Sequence, residues 1–343
     1  MSASDRPQHP QHQPLAAIGA LLLNATVWGL AWIPFRALDG LGVHSLWTTT
    51  WIYALSAAVV LARYPAALAQ LFSSRWLVLL ALAAGLTNAC FNWGVTVGEV
   101  VRVVLLFYLM PVWAAVFARV LLGERTGVAA AARIALALAG AFVVLWQADG
   151  VPGLPSSLAD WLGVSGGAAF ALTNVLLRRQ AADAPQARAL AMFAGGLAVP
   201  GALAVALSWG SATGAAVSDA ARSSADLLAL ASVTSATWPV IDATTMSIAT
   251  VTAAFFLVSN LALQYGAARL PSSVTAVVML SELVVAAASA ALLGDETLSA
   301  RTLVGGAVIV AASLLSAFPR SPLSRRRSGG AGPARDPRPP DRA

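Results

Sequence analysis

Ten apolar segments, each close to the roughly 20 residues that a membrane-spanning α-helix needs, constrain this chain more than any other feature. They lie at residues 15–35, 43–62, 76–97, 100–122, 128–146, 158–177, 187–207, 245–267, 270–293 and 302–318. Charged residues make up only 10% of the 343 residues, too few to cover a soluble protein of this size. We therefore predict an all-α membrane protein with ten transmembrane helices.

The distribution of arginine predicts the orientation of these helices. All 21 basic residues are arginines, and seven of them lie in the C-terminal tail. With the N-terminus inside, ten of the others fall on the inner side, and four fall on the outer side: Arg36, Arg102, Arg222 and Arg301. The positive-inside rule then predicts that both termini are cytoplasmic.

An internal repeat divides the chain into two halves. The stretch LTNACFNWG from Leu86 returns 172 residues later as VSNLALQYG from Val258, and LLGE before residue 125 returns as LLGDE. In this register Pro111 corresponds to Glu282. The repeat unit holds five helices, so the second copy enters the membrane from the opposite side. Inverted repeats of this kind are typical of carriers that open alternately to either side.

The repeat and the polar segments together give a domain plan. We predict a polar N-terminal tail at 1–14, a first five-helix repeat at 15–147, a linker at 148–157 and a second repeat at 158–318. An extracytoplasmic insert occupies 209–244 of the second repeat. The Arg- and Pro-rich tail at 319–343 is predicted to be disordered and to lie near anionic lipid, so the net charge of +6 does not indicate nucleic-acid binding.

Two segments of the first half resemble a known module. VWGLAWIPFRAL from Val27 and LFYLMPVWAAVFARVLLGERTGVAAAARIALALAGAFVVLW from Leu106 resemble the EamA domain of the drug/metabolite transporter (DMT) superfamily. The second repeat is less similar, since Glu282 stands where the family usually has proline. The resemblance implies a ten-helix carrier with a central cavity. It also implies metabolite substrates, often exported, and a bacterial inner membrane as the location.

Glu282 is the strongest functional candidate, because it lies in the middle of an apolar run. A charge near the bilayer midplane costs about 2.5–3.5 kcal/mol even on insertion scales, so it must face protein or a water-filled cavity. A carboxyl group in such a place can exchange a proton as the cavity alternates. We interpret Glu282 as a substrate-binding and proton-coupling candidate, with a purely structural acid as the alternative.

Other polar and aromatic residues within the spans are candidates to line a substrate cavity. They are Asn24, Trp28, Asn88, Asn92, Tyr108, Asn174, Asn260 and Gln264. The alternative for the amides is hydrogen bonding between helices, and for the rings it is core packing. Pro111 lacks an N–H and is a hinge candidate in span four.

The remaining charged residues suggest structural roles. Arg102 lies near Glu99 and is predicted to pair locally, with capture of a substrate carboxylate as the alternative. Glu124 and Glu296 each precede a helix start, where a carboxylate stabilises the helix dipole. The single cysteine and three scattered histidines provide no metal site, and we predict no cofactor.

These features favour a secondary active transporter of small organic metabolites, amino-acid-like or amine compounds, with efflux the expected direction. Protons and membrane lipid are the other expected partners, and the chain is a monomer or homodimer. It has no lysine and therefore no Walker lysine for ATP hydrolysis. The alternatives are a membrane-embedded enzyme and a non-transporting membrane interaction protein.

Overall fold

The computed structural model describes residues 13–123, 128–146, 155–180, 183–217, 242–267 and 278–317, with residues 236, 238, 239, 269, 270 and 275 between them. Throughout this part of the chain the regular structure is helical. The helices are α1 Gln13–Gly29, α2 Trp32–Gly40, α3 Ser45–Arg63, α4 Ala67–Ser73, α5 Arg75–Val97, α6 Val100–Phe107, α7 Met110–Leu122, α8 Val128–Leu145, α9 Leu158–Arg179, α10 Pro185–Val217, α11 Ala243–Ala267, α12 Ser281–Leu293 and α13 Ala300–Ala317.

The helices are those of a multi-pass membrane protein. Six segments are long and apolar enough to cross a bilayer: Leu15–Gly40, Ser45–Arg63, Arg75–Val97, Val100–Leu122, Pro185–Trp209 and Ala243–Leu263. Three shorter apolar helices, Ile134–Leu145, Ser281–Leu293 and Ala300–Ala312, fall within predicted spans five, nine and ten. Predicted span six corresponds to α9, which has 22 residues and a more polar sequence. The total of ten spans stays a prediction.

Large apolar side chains also cover much of the outer surface. Leu82, Val251, Phe255, Val284 and Leu292 are each more than half exposed. Soluble monomers rarely expose apolar patches of this extent. This surface therefore suits contact with lipid.

Two of the predicted spans are interrupted, and proline accounts for both interruptions. Span one breaks at Leu30–Ala31, between α1 and α2, and span four breaks at Tyr108–Leu109, between α6 and α7. Pro34 and Pro111 follow the two breaks, and a proline cannot donate a hydrogen bond to the carbonyl four residues before it. The backbone tightens instead, as Ile33 N–H donates to the Leu30 carbonyl at 3.1 Å.

Equivalent helices of the two halves have matching bounds. Both α7 and α12 have 13 residues, and they begin and end 171 residues apart. Both α8 and α13 have 18 residues, and their bounds are 172 residues apart. The pattern that predicted the repeat therefore corresponds to helices of equal length.

The helix contacts also fall into matched sets. Helix α5 packs on α9 as α11 packs on α1, and α10 packs on α5 as α3 packs on α11. Likewise α6 and α7 pack on α9 as α12 packs on α1. Three further pairs, α3 with α10, α6 with α12 and α8 with α13, join equivalent spans directly. Exchange of the two halves thus reproduces the same packing.

Glycines allow the closest of these contacts. A Cβ atom at Gly163 of α9 would lie 3.0 Å from the Val103 carbonyl oxygen of α6, and one at Gly167 would overlap the Phe107 backbone. The GxxxG spacing in span six therefore does mediate close helix packing. Its position places α9 directly against both halves of span four.

The second half begins and continues with well-defined helix starts. Ser157 and Asp160 form a capping box at the start of α9. At the start of α11, Thr245 N–H donates to the Asp242 carboxylate at 2.7 Å, which holds the pKa of this exposed carboxyl below its usual value. Both starts follow from short polar residues that satisfy free backbone N–H groups.

Helix α10 extends further than the predicted span. It continues to Val217, so the first residues of the predicted 209–244 insert are helical. The rest of that insert up to residue 235, the tail at 319–343, residues 1–12 and Glu124 lie outside the described residues.

Candidate functional site

Three helix interruptions meet around Glu282. Helix α12 begins at Ser281, directly after a turn at Leu280, and no proline follows this turn. Instead, the Ser281 hydroxyl donates to the Val278 carbonyl at 2.7 Å, which competes with a continuous helix. A Cβ atom at Gly29 would lie 2.8 Å from the Glu282 carbonyl oxygen, so the end of α1 touches the first turn of α12.

The third interruption supplies Tyr108, which is buried and lies within electrostatic range of the Glu282 carboxylate. Glu282 itself is partly buried. Among the described residues, none forms a hydrogen bond or ion pair with its carboxylate. Its place in the first turn of α12 puts it at the positive end of that helix, which favours a negative charge. This carboxylate is therefore free to bind a proton or a cationic group.

Aromatic rings form one side of this region. The partly exposed Trp28 packs edge to face against Phe256 at 4.8 Å and against Phe91 at 5.8 Å between ring centroids. The series continues through Phe107 to Phe170, with centroid distances of 5.0 and 5.3 Å. Trp28 precedes Gly29 in the chain, so its ring belongs to the surroundings of Glu282.

A hydrogen bond fixes α2 against α12 beside this site. Trp32 Nε1 donates to Ser289 Oγ at 3.0 Å, and both side chains are buried. Ser289 Oγ in turn lies within bonding distance of the carbonyl oxygens of Ala286 and Gly29. The contact connects both parts of broken span one to α12.

The predicted cavity amides of span three form bonds between helices. The Tyr53 hydroxyl of α3 donates to Asn88 Oδ1 at 2.6 Å, and Asn88 Nδ2 donates to the Ala84 carbonyl at 2.7 Å. Asn92 Nδ2 donates to Thr49 Oγ1 at 3.1 Å. Both amides are buried between α5 and α3, which agrees with the alternative of interhelical hydrogen bonding.

Asn24 also joins two helices. Its Nδ2 donates to the Ser259 carbonyl at 3.0 Å and lies 2.7 Å from Ser259 Oγ, while its Oδ1 is buried without a partner. Asn260 Nδ2 donates to the Phe256 carbonyl of its own helix at 2.8 Å. Asn174 is exposed, and the side chain of Gln264 lies outside the described part of the chain. For all these residues a role in substrate binding stays a prediction.

The structure thus brings together Glu282, Tyr108 and Trp28 from the predicted set, with hinge candidate Pro111 one turn away in the chain. It separates them from the amides of α5. Tyr53 and Ser289 were not identified from the sequence, because neither residue type at its position indicates which helix it faces.

The prediction for Arg102 is wrong in its partner. Its guanidinium pairs with Asp160 through two bonds, Nε to Oδ1 at 2.6 Å and a terminal nitrogen to Oδ2 at 2.9 Å. Asp160 also accepts from the backbone N–H groups of Ser156 and Ser157. The capping-box spacing at Ser157 was the sequence signal for a buried Asp160, whereas Glu99 is exposed.

Glu296 has a structural role, as predicted, and also pairs with an arginine. Its Oε1 accepts from the Val100 N–H at the start of α6 at 3.0 Å, and from Arg36 at 2.9 Å. Within the described residues, no group of three His, Cys, Asp or Glu side chains is arranged to hold a metal ion.

Comparison with known proteins assigns the first half of the chain. The model of the EamA-like transporter family matches residues 15–146. These residues are an EamA domain.

The EamA domain, which belongs to the DMT superfamily, contains predicted spans one to five and both proline-linked interruptions. Glu282 lies outside it, in the second half. No curated protein matches the chain. A solved structure titled "Crystal structure of protein" is 18% identical over 93% of this chain and 99% of its own, with a TM-score of 0.49. That score is too low to establish a shared fold.

Proposed function

We propose that this protein is a secondary active transporter of small organic metabolites that works by alternating access. The EamA domain at residues 15–146 is the observation that carries the proposal, because it is named for a transporter family. The site supports it, since broken helices around a midplane ionisable group are typical of substrate sites in secondary transporters. In this proposal the membrane is the bacterial inner membrane.

The chain is proposed to consist of two inverted five-helix repeats with both termini in the cytoplasm. Three observations support this arrangement: the matching helix bounds, the matched helix contacts and the arginine distribution. Each repeat has an odd number of spans, so consecutive copies have opposite orientations. Rocking of one repeat against the other would then expose the Glu282 site to each side in turn.

Substrates are proposed to be amines or amino-acid-like compounds that leave the cell in exchange for protons. The unpaired Glu282 carboxylate attracts a cationic amine, and Trp28 and Tyr108 supply aromatic faces that favour such cations. Proton and amine compete for the same carboxylate, so that one leaves as the other binds. Competition of this kind couples substrate exit to proton entry.

The test is uptake into proteoliposomes under an imposed pH gradient, with a screen of amino acids and small amines. We expect the unaltered protein to accumulate a compound against its gradient and Glu282→Gln only to equilibrate it, because Gln cannot exchange a proton. Glu99→Gln is the matched control, since it makes the same chemical change at an exposed position. Equal accumulation by the protein and by Glu282→Gln would contradict the coupling role.

A further inference from the structure

Two ion pairs lie at one end of the helix bundle, and each joins the first half of the chain to the second. Arg36 of α2 pairs with Glu296, which follows α12, at 2.9 Å. Arg102 of α6 pairs with Asp160 of α9 at 2.6 Å. Under the predicted orientation, all four residues lie at the outer side of the membrane. We call these four residues the outer latch.

The first pair of the outer latch connects three helix ends. Arg36 also donates to the Val95 carbonyl at 3.1 Å and to the Gly98 carbonyl at 2.6 Å, where α5 ends. A cation at the C-terminal end of a helix and an anion at an N-terminal end are both favoured by the helix dipoles. Glu296 provides the anion by accepting from Val100 N–H at the start of α6.

This pair is not saturated with hydrogen bonds. Oε1 of Glu296 accepts both bonds, whereas Oε2 is buried without a partner. The Glu296 and Arg36 side chains keep 12% and 28% of their surface exposed. A contact with one free oxygen and some access to water loses less on breaking than a fully buried pair does.

The second pair is geometrically stronger. The two parallel bonds between Arg102 and Asp160 are the bidentate arrangement that favours arginine over lysine. Arg102 also reaches the Val144 carbonyl near the end of α8 at 3.5 Å, and Asp160 caps α9. The pair therefore holds the ends of α6, α8 and α9 together.

Packing around the outer latch leaves no passage beside it. A Cβ atom at Gly98 would overlap Ala159 of α9, so the two chain segments are in direct contact. All of α6 except Arg102 is buried. By contrast, residues 110–115 at the start of α7, beyond the break, are partly exposed. The bundle is thus closed at the end that carries the ion pairs.

From this geometry we propose that Arg36–Glu296 and Arg102–Asp160 are the gate residues that keep the transport pathway closed on the outer side. The inference rests on the proposed transport function. Both pairs join the two halves, so any motion that opens this end by separating the halves must break both. Closure then depends on two specific contacts as well as on general packing.

The test measures access from the outer side to Ser289, which is buried between the latch and Glu282 in the sequence of α12. Cys90 is the only cysteine and is replaced by serine, after which Ser289→Cys supplies one near-isosteric thiol. A membrane-impermeant maleimide is added to each side of the membrane in turn. The assay needs no substrate, so it is independent of whether a transported compound has been found.

We expect Glu296→Gln and Asp160→Asn each to increase the labelling rate from the outer side about two- to fivefold, which is the factor for the loss of one partly exposed ion pair. The double variant is expected to show roughly the product of the two increases. Glutamine can still accept from Val100 N–H, so Glu296→Gln preserves the cap of α6. Arg301→Gln is the control, since this arginine is exposed and has no ion-pair partner among the described residues.

Unchanged labelling in both single variants, with a lower melting temperature, would show that the ion pairs are static braces and would overturn the proposal. If the double variant fails to fold, the two single variants still decide the question. Increased labelling in a protein that transports nothing in the proteoliposome screen would support the outer latch and count against the proposed function. The two failures are therefore distinguishable.

Discussion

At the scale of single residues, Tyr53 and Asn88 test whether the buried amides are structural. Their hydrogen bond of 2.6 Å joins α3 to α5. We expect a double-mutant cycle of Tyr53→Phe and Asn88→Ala to give a coupling energy of about 0.5–1.5 kcal/mol in the free energy of unfolding, the usual range within membranes. Thermal or denaturant unfolding in detergent measures it. The KM for a transported substrate should not change with Tyr53→Phe.

A large change in KM with little change in stability would contradict this interpretation and return Asn88 to the substrate site. The sequence identified Asn88 and Asn92 because a spacing of four residues puts two amides on one helix face. It did not indicate that this face meets Tyr53 and Thr49. The partner of a face depends on helix order in three dimensions, which a local pattern does not contain.

Arg102 illustrates the same limit for charges. The nearest acid in the chain is Glu99, but the structure pairs Arg102 with Asp160, 58 residues away. Pairing follows from burial: Asp160 is buried and needs a counter-charge, whereas the exposed Glu99 is solvated by water. Glu282 needed no partner to be recognised, since its apolar sequence context already identified it.

At the scale of helices, the interruption in span four should determine the rate of transport. Pro111 prevents a continuous helix through Tyr108–Leu109, and Pro111→Ala allows one. We expect turnover to fall several-fold while substrate KM stays nearly constant, because a straighter, stiffer helix slows the motion without altering the site. Initial rates of uptake over a range of substrate concentrations give both quantities.

Pro200 supplies the control for this experiment. It lies within the continuous helix α10, away from the three interruptions, so Pro200→Ala should affect stability more than turnover. An equal effect of the two substitutions on turnover would contradict a hinge at Pro111. The proline itself was readable from the sequence, but the position of the break, two residues before it, was not.

The start of α12 could not be predicted in the same way. No proline marks it, and the apolar run at 270–293 looked like one continuous helix. Ser281 contributes to the break through its bond to the Val278 carbonyl, a role that serine has in many contexts without interrupting a helix. The equivalence with α7 is what made the position intelligible.

For the whole molecule, the inverted arrangement makes a prediction about sidedness. In a Cys90→Ser background, we expect Glu99→Cys to be labelled by an impermeant maleimide only from outside, and Ser73→Cys only from inside. Both residues are exposed at opposite ends of α5 and its neighbour α4, so reactivity itself does not separate them. Labelling of intact cells, compared with inverted membrane vesicles, measures it.

Labelling of both cysteines from the same side would contradict the inverted arrangement. Much of the fold was predictable here, because apolar length and the 172-residue repeat depend only on the sequence itself. The long α10 was not, since its last turns, beyond Trp209, carry small polar residues that do not differ from those of a loop. The structure adds which spans touch, and therefore where the two halves meet.

The equal lengths of α7 and α12 conceal one chemical difference, proline at 111 and glutamate at 282, and this difference limits the work that the proposed exchanger can do. A single ionisable group at the centre carries one proton per cycle. Exchange of one proton for one monovalent amine moves no net charge, so the membrane voltage contributes nothing. A pH difference of one unit then sustains a concentration ratio of about ten. The driving force for export is set by acidity alone.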